Sequence, residues 1–219
     1  MQTASALEDG RWRLGAQASA AGYCGSVEGP VPTACSEYPD GVPVPELRVD
    51  ARRGLPARSD VGLSLQVAPQ ALAAARPLQV GLTFDGKREL GRTRTGPARH
   101  VLSLGLLGGM AIAGRLGLAP FVQAEWGVTL MYGLQVGRFE WVVGGVASRR
   151  ALVDTTGVRA ALPVVQSTRV GLSLGLFRRS PAGWAVQLGY LGDPDRYSAG
   201  AIQVQYGVFW DLGGPARDD

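Results

Sequence analysis

His100 is the only histidine in the chain, so it sets the scope for acid–base or nucleophilic chemistry. The nearest hydroxyl on its strand, Ser103, follows by three positions, and an odd separation on an extended strand sends two side chains to opposite faces. A serine or aspartyl catalytic set built on this histidine is therefore not expected. Cys24 and Cys35 bound or enter a segment rich in Pro, Gly and acid, Gly25 to Pro45, with no histidine or further cysteine to complete a metal site. A disulfide between them would contribute on the order of 3 kcal/mol in the chain-entropy view and would place the chain in an oxidising compartment, the periplasm or cell exterior. The glycines form no G-x-G-x-x-G ahead of a helix, so no phosphate-binding loop is expected. Neither a metal nor a cofactor is expected.

These residues are positioned by a chain of 219 residues, 46% hydrophobic and only 18% charged, with 32 glycines. That glycine content is about double the usual 7%, and the mean hydropathy of +0.06 is high for a water-exposed fold. No run reaches the roughly 18 apolar residues of a spanning helix; the best, Val101 to Ala113, is broken by Gly105, Gly108 and Gly109. The net charge is +4, almost entirely arginine with Lys87 the only lysine, but the basic residues form no face or tail along the chain. Nucleic acid is not an expected partner. The start, Met1 to Ala4, lacks the basic and apolar regions of a secretory signal, so the chain reads as cytosolic or as a mature form.

Period-two alternation runs through almost every segment. Ile202, Val204, Tyr206, Val208, Trp210 and Leu212 alternate with Gln203, Gln205, Gly207 and Asp211, with Phe209 the exception. Val122 to Tyr132, Leu78 to Phe84 and Val61 to Val67 repeat the rule. Turn signals divide the chain into about ten strands: 11–23, 46–53, 61–68, 78–85, 99–113, 121–133, 138–152, 164–178, 183–192 and 200–212. An even count brings both termini to one side. Short turns fall there and longer loops opposite, apart from Gly86 to Pro97, which reads as a long polar connection on the short-turn side. This predicts an all-β, closed antiparallel up-and-down transmembrane barrel over 11–212, preceded by a segment 1–10 and followed by a tail 213–219, both periplasmic.

The polar face is small and poorly charged, dominated by Gly, Ser, Gln and Thr, which suits a lumen better than a solvated surface. On the apolar face Trp12, Phe84, Tyr132, Trp141, Trp184 and Trp210 fall toward the short-turn end and are expected to form an aromatic band at the lipid–headgroup boundary. Parity points Arg13, Arg48, Asp50, Arg52, Glu125, Glu140 and Asp211 inward. Charges in so narrow a space must pair or stay hydrated. They form either a bracing network or a constriction that selects ions or small solutes.

In these respects the chain resembles small outer-membrane β-barrels of Gram-negative bacteria. Gly207, Trp210 and Leu212 are similar to the carboxyl-terminal insertion signal of that class, with Leu212 in the usual aromatic place and Gly213 to Asp219 continuing beyond it. Gln2 to Arg13 looks like the segment after a lipobox cysteine in barrel lipoproteins, without the cysteine. The arginine bias suits a GC-rich source such as a myxobacterium, whose envelopes carry barrels of this size in motility and transport machinery. The enzymes of the class are outer-membrane proteases and lipid A deacylases, whose histidine-containing sets His100 does not reproduce. The resemblance implies an outer-membrane location, contact with membrane lipid and lipopolysaccharide, and a non-enzymatic role as anchor or component of an envelope complex through the loops. The alternatives are a narrow channel for ions or small solutes near Arg48, Arg52 and Glu125, and a soluble periplasmic barrel that binds an apolar ligand in an apolar interior.

Overall fold

The computed structural model describes residues 2–24, 44–68, 78–114, 121–154, 165–179, 182–193 and 196–213. Ten strands run in chain order as β1 (Trp12–Cys24), β2 (Val44–Leu55), β3 (Ser59–Ala68), β4 (Leu78–Thr95), β5 (Ala98–Gly114), β6 (Phe121–Val136), β7 (Phe139–Asp154), β8 (Val165–Arg178), β9 (Ala182–Asp193) and β10 (Arg196–Leu212). Each pairs antiparallel with its neighbours, and β1 pairs with β10, Trp12 opposite Leu212 and Cys24 opposite Gly200, so the sheet closes. Closure satisfies the ladder hydrogen bonds without an edge strand, as a β-structure in hydrocarbon requires.

Period two decides the two faces. Outward stand Leu63, Leu65, Leu82, Leu104, Leu106, Leu130, Val143, Leu172, Leu188 and Val204, all exposed. Inward stand mostly glycine, hydroxyls, amides and charges, with a single apolar cluster that includes Val101, Met131, Val142, Phe177 and Phe209 among the described residues. This inversion overturns the soluble-barrel alternative, which needs the large apolar side chains inside. At one end the strands are joined by short turns at 56–58, 96–97 and 137–138, three residues separate β8 from β9, and both the start of β1 and the end of β10 lie there. Gly96 and Gly137, each at φ +58°, supply the left-handed backbone that such hairpin turns demand.

The polar stretch Gly86 to Pro97 is a correction to the sequence expectation. It is not a connection: β4 continues through it to Thr95 and turns at Gly96 and Pro97, with a register shift between Glu89 and Gly91. Its alternation was hidden because Arg88 faces out while Lys87 and Glu89, also charged, face in and are buried.

Candidate functional site

The interior is divided into a packed floor at the short-turn end and an open cavity beyond it. Residues 3–7 precede the barrel in sequence and lie inside it, all of them buried. A non-strand backbone inside a barrel carries unpaired N–H and C=O groups, and each must find a partner. The strands supply them. Glu140 Oε1 accepts from Ser5 N–H at 3.0 Å and Ser5 Oγ at 3.2 Å. Glu89 Oε1 accepts from Ala6 N–H at 2.8 Å, and Asp60 Oδ2 accepts from Leu7 N–H at 3.0 Å. In the other direction Lys87 Nζ donates to the carbonyls of Thr3 (2.6 Å) and Ser5 (2.9 Å), and Ser103 Oγ donates to that of Ala4 at 2.5 Å. Side chains from β3, β4, β5 and β7 thus grip one short run of main chain.

Those same side chains are held by buried ion pairs. Arg52 reaches Asp60 and Asp85 at 2.5 Å each, and Lys87 Nζ lies 3.3 Å from Asp60. Arg13 forms a two-point bond to Asp211 at 2.5 and 2.9 Å and places its guanidinium 4.4 Å from the centre of the Phe209 ring. Phe209, the exception to alternation, joins Ala4, Val101, Met131, Val142, Phe177 and Ala185 in the only apolar cluster found among the described buried residues. Glu140 is fully buried, with Arg179 3.8 Å from its second oxygen. Burial lowers the proton affinity of the Arg179 guanidinium, and Glu140 works against that shift. A small void beside this packing, bordered by Gln2, Thr3 and strands β1, β2, β8, β9 and β10, holds about 20 Å³, room for about one water.

Gly133 makes the fit possible. A Cβ there would lie 2.7 Å from the Ala4 Cβ and 2.9 Å from Glu140 Oε1. Gly133→Val is expected to cost about 1–3 kcal/mol by overpacking and to push residues 3–5 out. A cysteine introduced as Ser5→Cys should then react with a water-soluble maleimide in the valine background and stay protected with Gly133 intact.

Above the floor lies a cavity of about 370 Å³ lined by Gln17, Arg48, Thr83, Glu125, Ser173 and Gln205 among others, with Gln2 reaching into it from below. The inward charges expected from sequence divide between the two levels. Arg13, Arg52, Glu140 and Asp211 belong to the floor. Arg48 and Glu125 belong higher up: Arg48 donates to Ser64 Oγ at 2.6 Å, and Glu125 accepts from Ser148 at 2.8 Å with Arg150 at 3.8 Å; Asp50 borders the small void of the floor and accepts from Gln17. Of the side chains that bind residues 3–7 or hold the groups that do, sequence reasoning pointed Arg52 and Glu140 inward but missed Asp60, Asp85, Lys87 and Glu89, and Ser103 as a donor to Ala4. Asp60 and Asp85 lay at strand ends whose parity was legible; Lys87 and Glu89 were lost with the misread connection. His100 Nδ1 pairs with Tyr132 Oη at 2.6 Å, while Ser103 on the inner face is fully buried.

On the outer wall Trp12, Tyr132, Trp141 and Trp210 are exposed near the short-turn end. Trp184 is half-buried there, edge-on to Phe139 with ring centres 6.5 Å apart. Phe84 is exposed but stands deeper in the wall, at position 84 of a strand that runs to 95. Trp126 and Tyr206 add exposed rings farther from the turns. Cys35 lies outside the described residues, and nothing described supports its pairing with Cys24.

A closed antiparallel barrel with an even number of strands, apolar outside and polar inside, with short turns at one end, defines the class: this is an outer-membrane β-barrel protein. No protein-family model matches the chain, and no curated protein matches it. Among solved structures it is similar to the outer membrane protease OmpT from Escherichia coli (TM-score 0.42, 9% identity, covering 94% of this chain and 98% of that one). It is also similar to the Neisserial surface protein A (0.38, 9%, 92% and 99%) and to Ail, the attachment invasion locus protein of Yersinia pestis (0.33, 8%, 93% and 99%). Likenesses at this level assign no activity to the chain.

Proposed function

We propose that this protein is a non-enzymatic, non-conducting outer-membrane barrel that serves as an anchor or as a component of an envelope complex, with both termini and the sealed floor on the periplasmic side. The observation that carries this reading is the floor. Residues 3–7, the ion pairs around Arg52 and the Phe177–Phe209 cluster pack across the lumen at the short-turn end, and a void beside them of about 20 Å³ has room for about one water; this packing supports a lumen closed to hydrated ions and sugars. Contact with other envelope proteins or lipopolysaccharide is assigned to the opposite end, where the longer connections of the sequence fall. The separation of His100 and Ser103 onto opposite faces supports a role without catalysis.

Two measurements test this. The purified chain is expected to require detergent and to run faster on a gel before heating than after, the behaviour of a folded barrel; full solubility as a monomer in buffer would sink the membrane reading. In planar bilayers the inserted full-length chain is expected to give no conductance steps. Regular steps would replace the anchor with the narrow channel.

A further inference from the structure

The sequence shows no cluster of basic residues, yet closing the barrel makes one. Among the described residues the exposed arginines are Arg53, Arg58, Arg88, Arg94, Arg138 and Arg178 at the short-turn end, and Arg149 elsewhere. The exposed acids are Glu8 and Asp9, and Glu8 is already engaged by Arg11 at 3.4 Å. The six are spaced around the perimeter, with at least one at each of the four short turns. They also sit beside the aromatic band: the Arg53 guanidinium lies 5.5 Å from the Trp12 ring centre, and Arg178 pairs across the sheet with Trp184. An indole marks the level where acyl chains give way to headgroups. A guanidinium next to it, on the lipid side of the wall, lies at the height of the phosphates.

We infer that this rim is a collar that binds anionic phospholipid headgroups of the leaflet facing the short turns. The inference rests on the membrane reading above. A protein partner would meet one sector of the rim, whereas lipid surrounds all of it, and the arginines occupy every turn. Guanidinium is also the side chain best matched to a phosphate, since its planar fork donates two parallel hydrogen bonds. Arg58 adds a second argument. It stands at φ +53°, with Ala57 at +58°, a left-handed backbone that disfavours any side chain and is normally given to glycine or asparagine. The backbone is equally strained at Ala57, so the strain belongs to the turn, and what Arg58 adds to it is an exposed charge.

One arginine near an anionic surface is worth about fivefold in affinity. The detergent-solubilised full chain, offered equal amounts of phosphatidylglycerol and phosphatidylcholine and examined by native mass spectrometry, is expected to retain the phosphatidylglycerol by about tenfold or more. Replacing Arg53, Arg88, Arg138 and Arg178 together by glutamine should bring the two lipids to near parity, with the heat-dependent gel shift reporting that the barrel still folds. Arg149→Gln should change nothing. Arg58→Gly should raise the thermal midpoint by removing the strained backbone and at the same time lower the enrichment, a split that a purely structural arginine would not give. Equal retention of both lipids by the unmodified chain overturns the inference, as does enrichment that survives the fourfold change. Enrichment abolished by excess inorganic phosphate also overturns it, because the rim would then be a site for the free anion. A chain that needs no detergent would instead refute the membrane reading on which all of this rests.

Discussion

Deleting residues 2–8, so that Met1 is followed by Asp9, is expected to convert a silent barrel into a conducting one. The deletion removes every backbone group that Glu140, Glu89, Asp60, Lys87 and Ser103 hold. It also removes the Ala4 methyl from the apolar cluster. Groups with an ionic charge do not stay dry without partners, since the penalty is several kcal/mol per ion, so water enters and joins the mouth to the cavity of about 370 Å³ above. The barrel wall need not move, because its strands pair with one another and not with residues 2–8. The new opening would be lined by the carboxylates of Asp60, Asp85, Glu89, Glu140 and Asp211 against the cations of Arg13, Arg52, Lys87, Arg92 and Arg179. That balance of opposite charges predicts conductance with only weak preference between cations and anions. The check is a planar-bilayer comparison of the full and shortened chains, with the reversal potential read in a salt gradient. A shortened chain that folds, inserts and remains silent would show that the remaining floor side chains close the barrel by themselves, and the role given to residues 3–7 would be lost.

How much of this was legible in the sequence follows from what alternation records. Val204, Tyr206 and Trp210 against Gln203, Gln205 and Gly207 state a wall with two different faces, and from ten such runs the barrel and its polarity follow. Alternation fails where both faces carry charge. Arg88 beside Lys87 and Glu89 looks like a solvated loop, because charge type does not say whether a side chain meets water or a buried partner. Residues 3–7, Thr-Ala-Ser-Ala-Leu, carry no pattern at all, since their place is fixed by carboxylates that lie from 53 to 135 positions away in the chain. The arginine collar is invisible for a related reason. Arg53, Arg88, Arg138 and Arg178 are neighbours around a rim but lie tens of residues apart in sequence. The sequence signals that could have exposed the floor were Phe177 and Phe209, aromatics on the inward face, which mark the level where the lumen is packed.

Within that floor the largest loss of stability is expected at Asp60, which is 1% exposed. Its Oδ1 faces Arg52 at 2.5 Å, and its Oδ2 takes the Leu7 N–H at 3.0 Å with Lys87 at 3.3 Å, so one carboxylate neutralises two buried cations and fixes the entering chain. Asp60→Asn keeps the shape and removes the charge. Lys87 then has carbonyl acceptors but no carboxylate beside it, and Arg52 keeps only Asp85. Breaking a buried pair from one side typically costs about 3–5 kcal/mol, and that is the expected fall in unfolding free energy, measured by urea titration of tryptophan fluorescence in detergent micelles. Asp85→Asn should cost less, because Arg52 retains Asp60 and the Oδ2 atom of Asp85 has no hydrogen-bond partner to lose. The decisive comparison is the double change. Lys87→Met removes one of the two stranded cations, so combining it with Asp60→Asn should restore part of the loss, a coupling that a double-mutant cycle isolates. Strictly additive losses would mean that Asp60 acts through Leu7 and the chain path alone, and that the ion pairs do not hold the floor together.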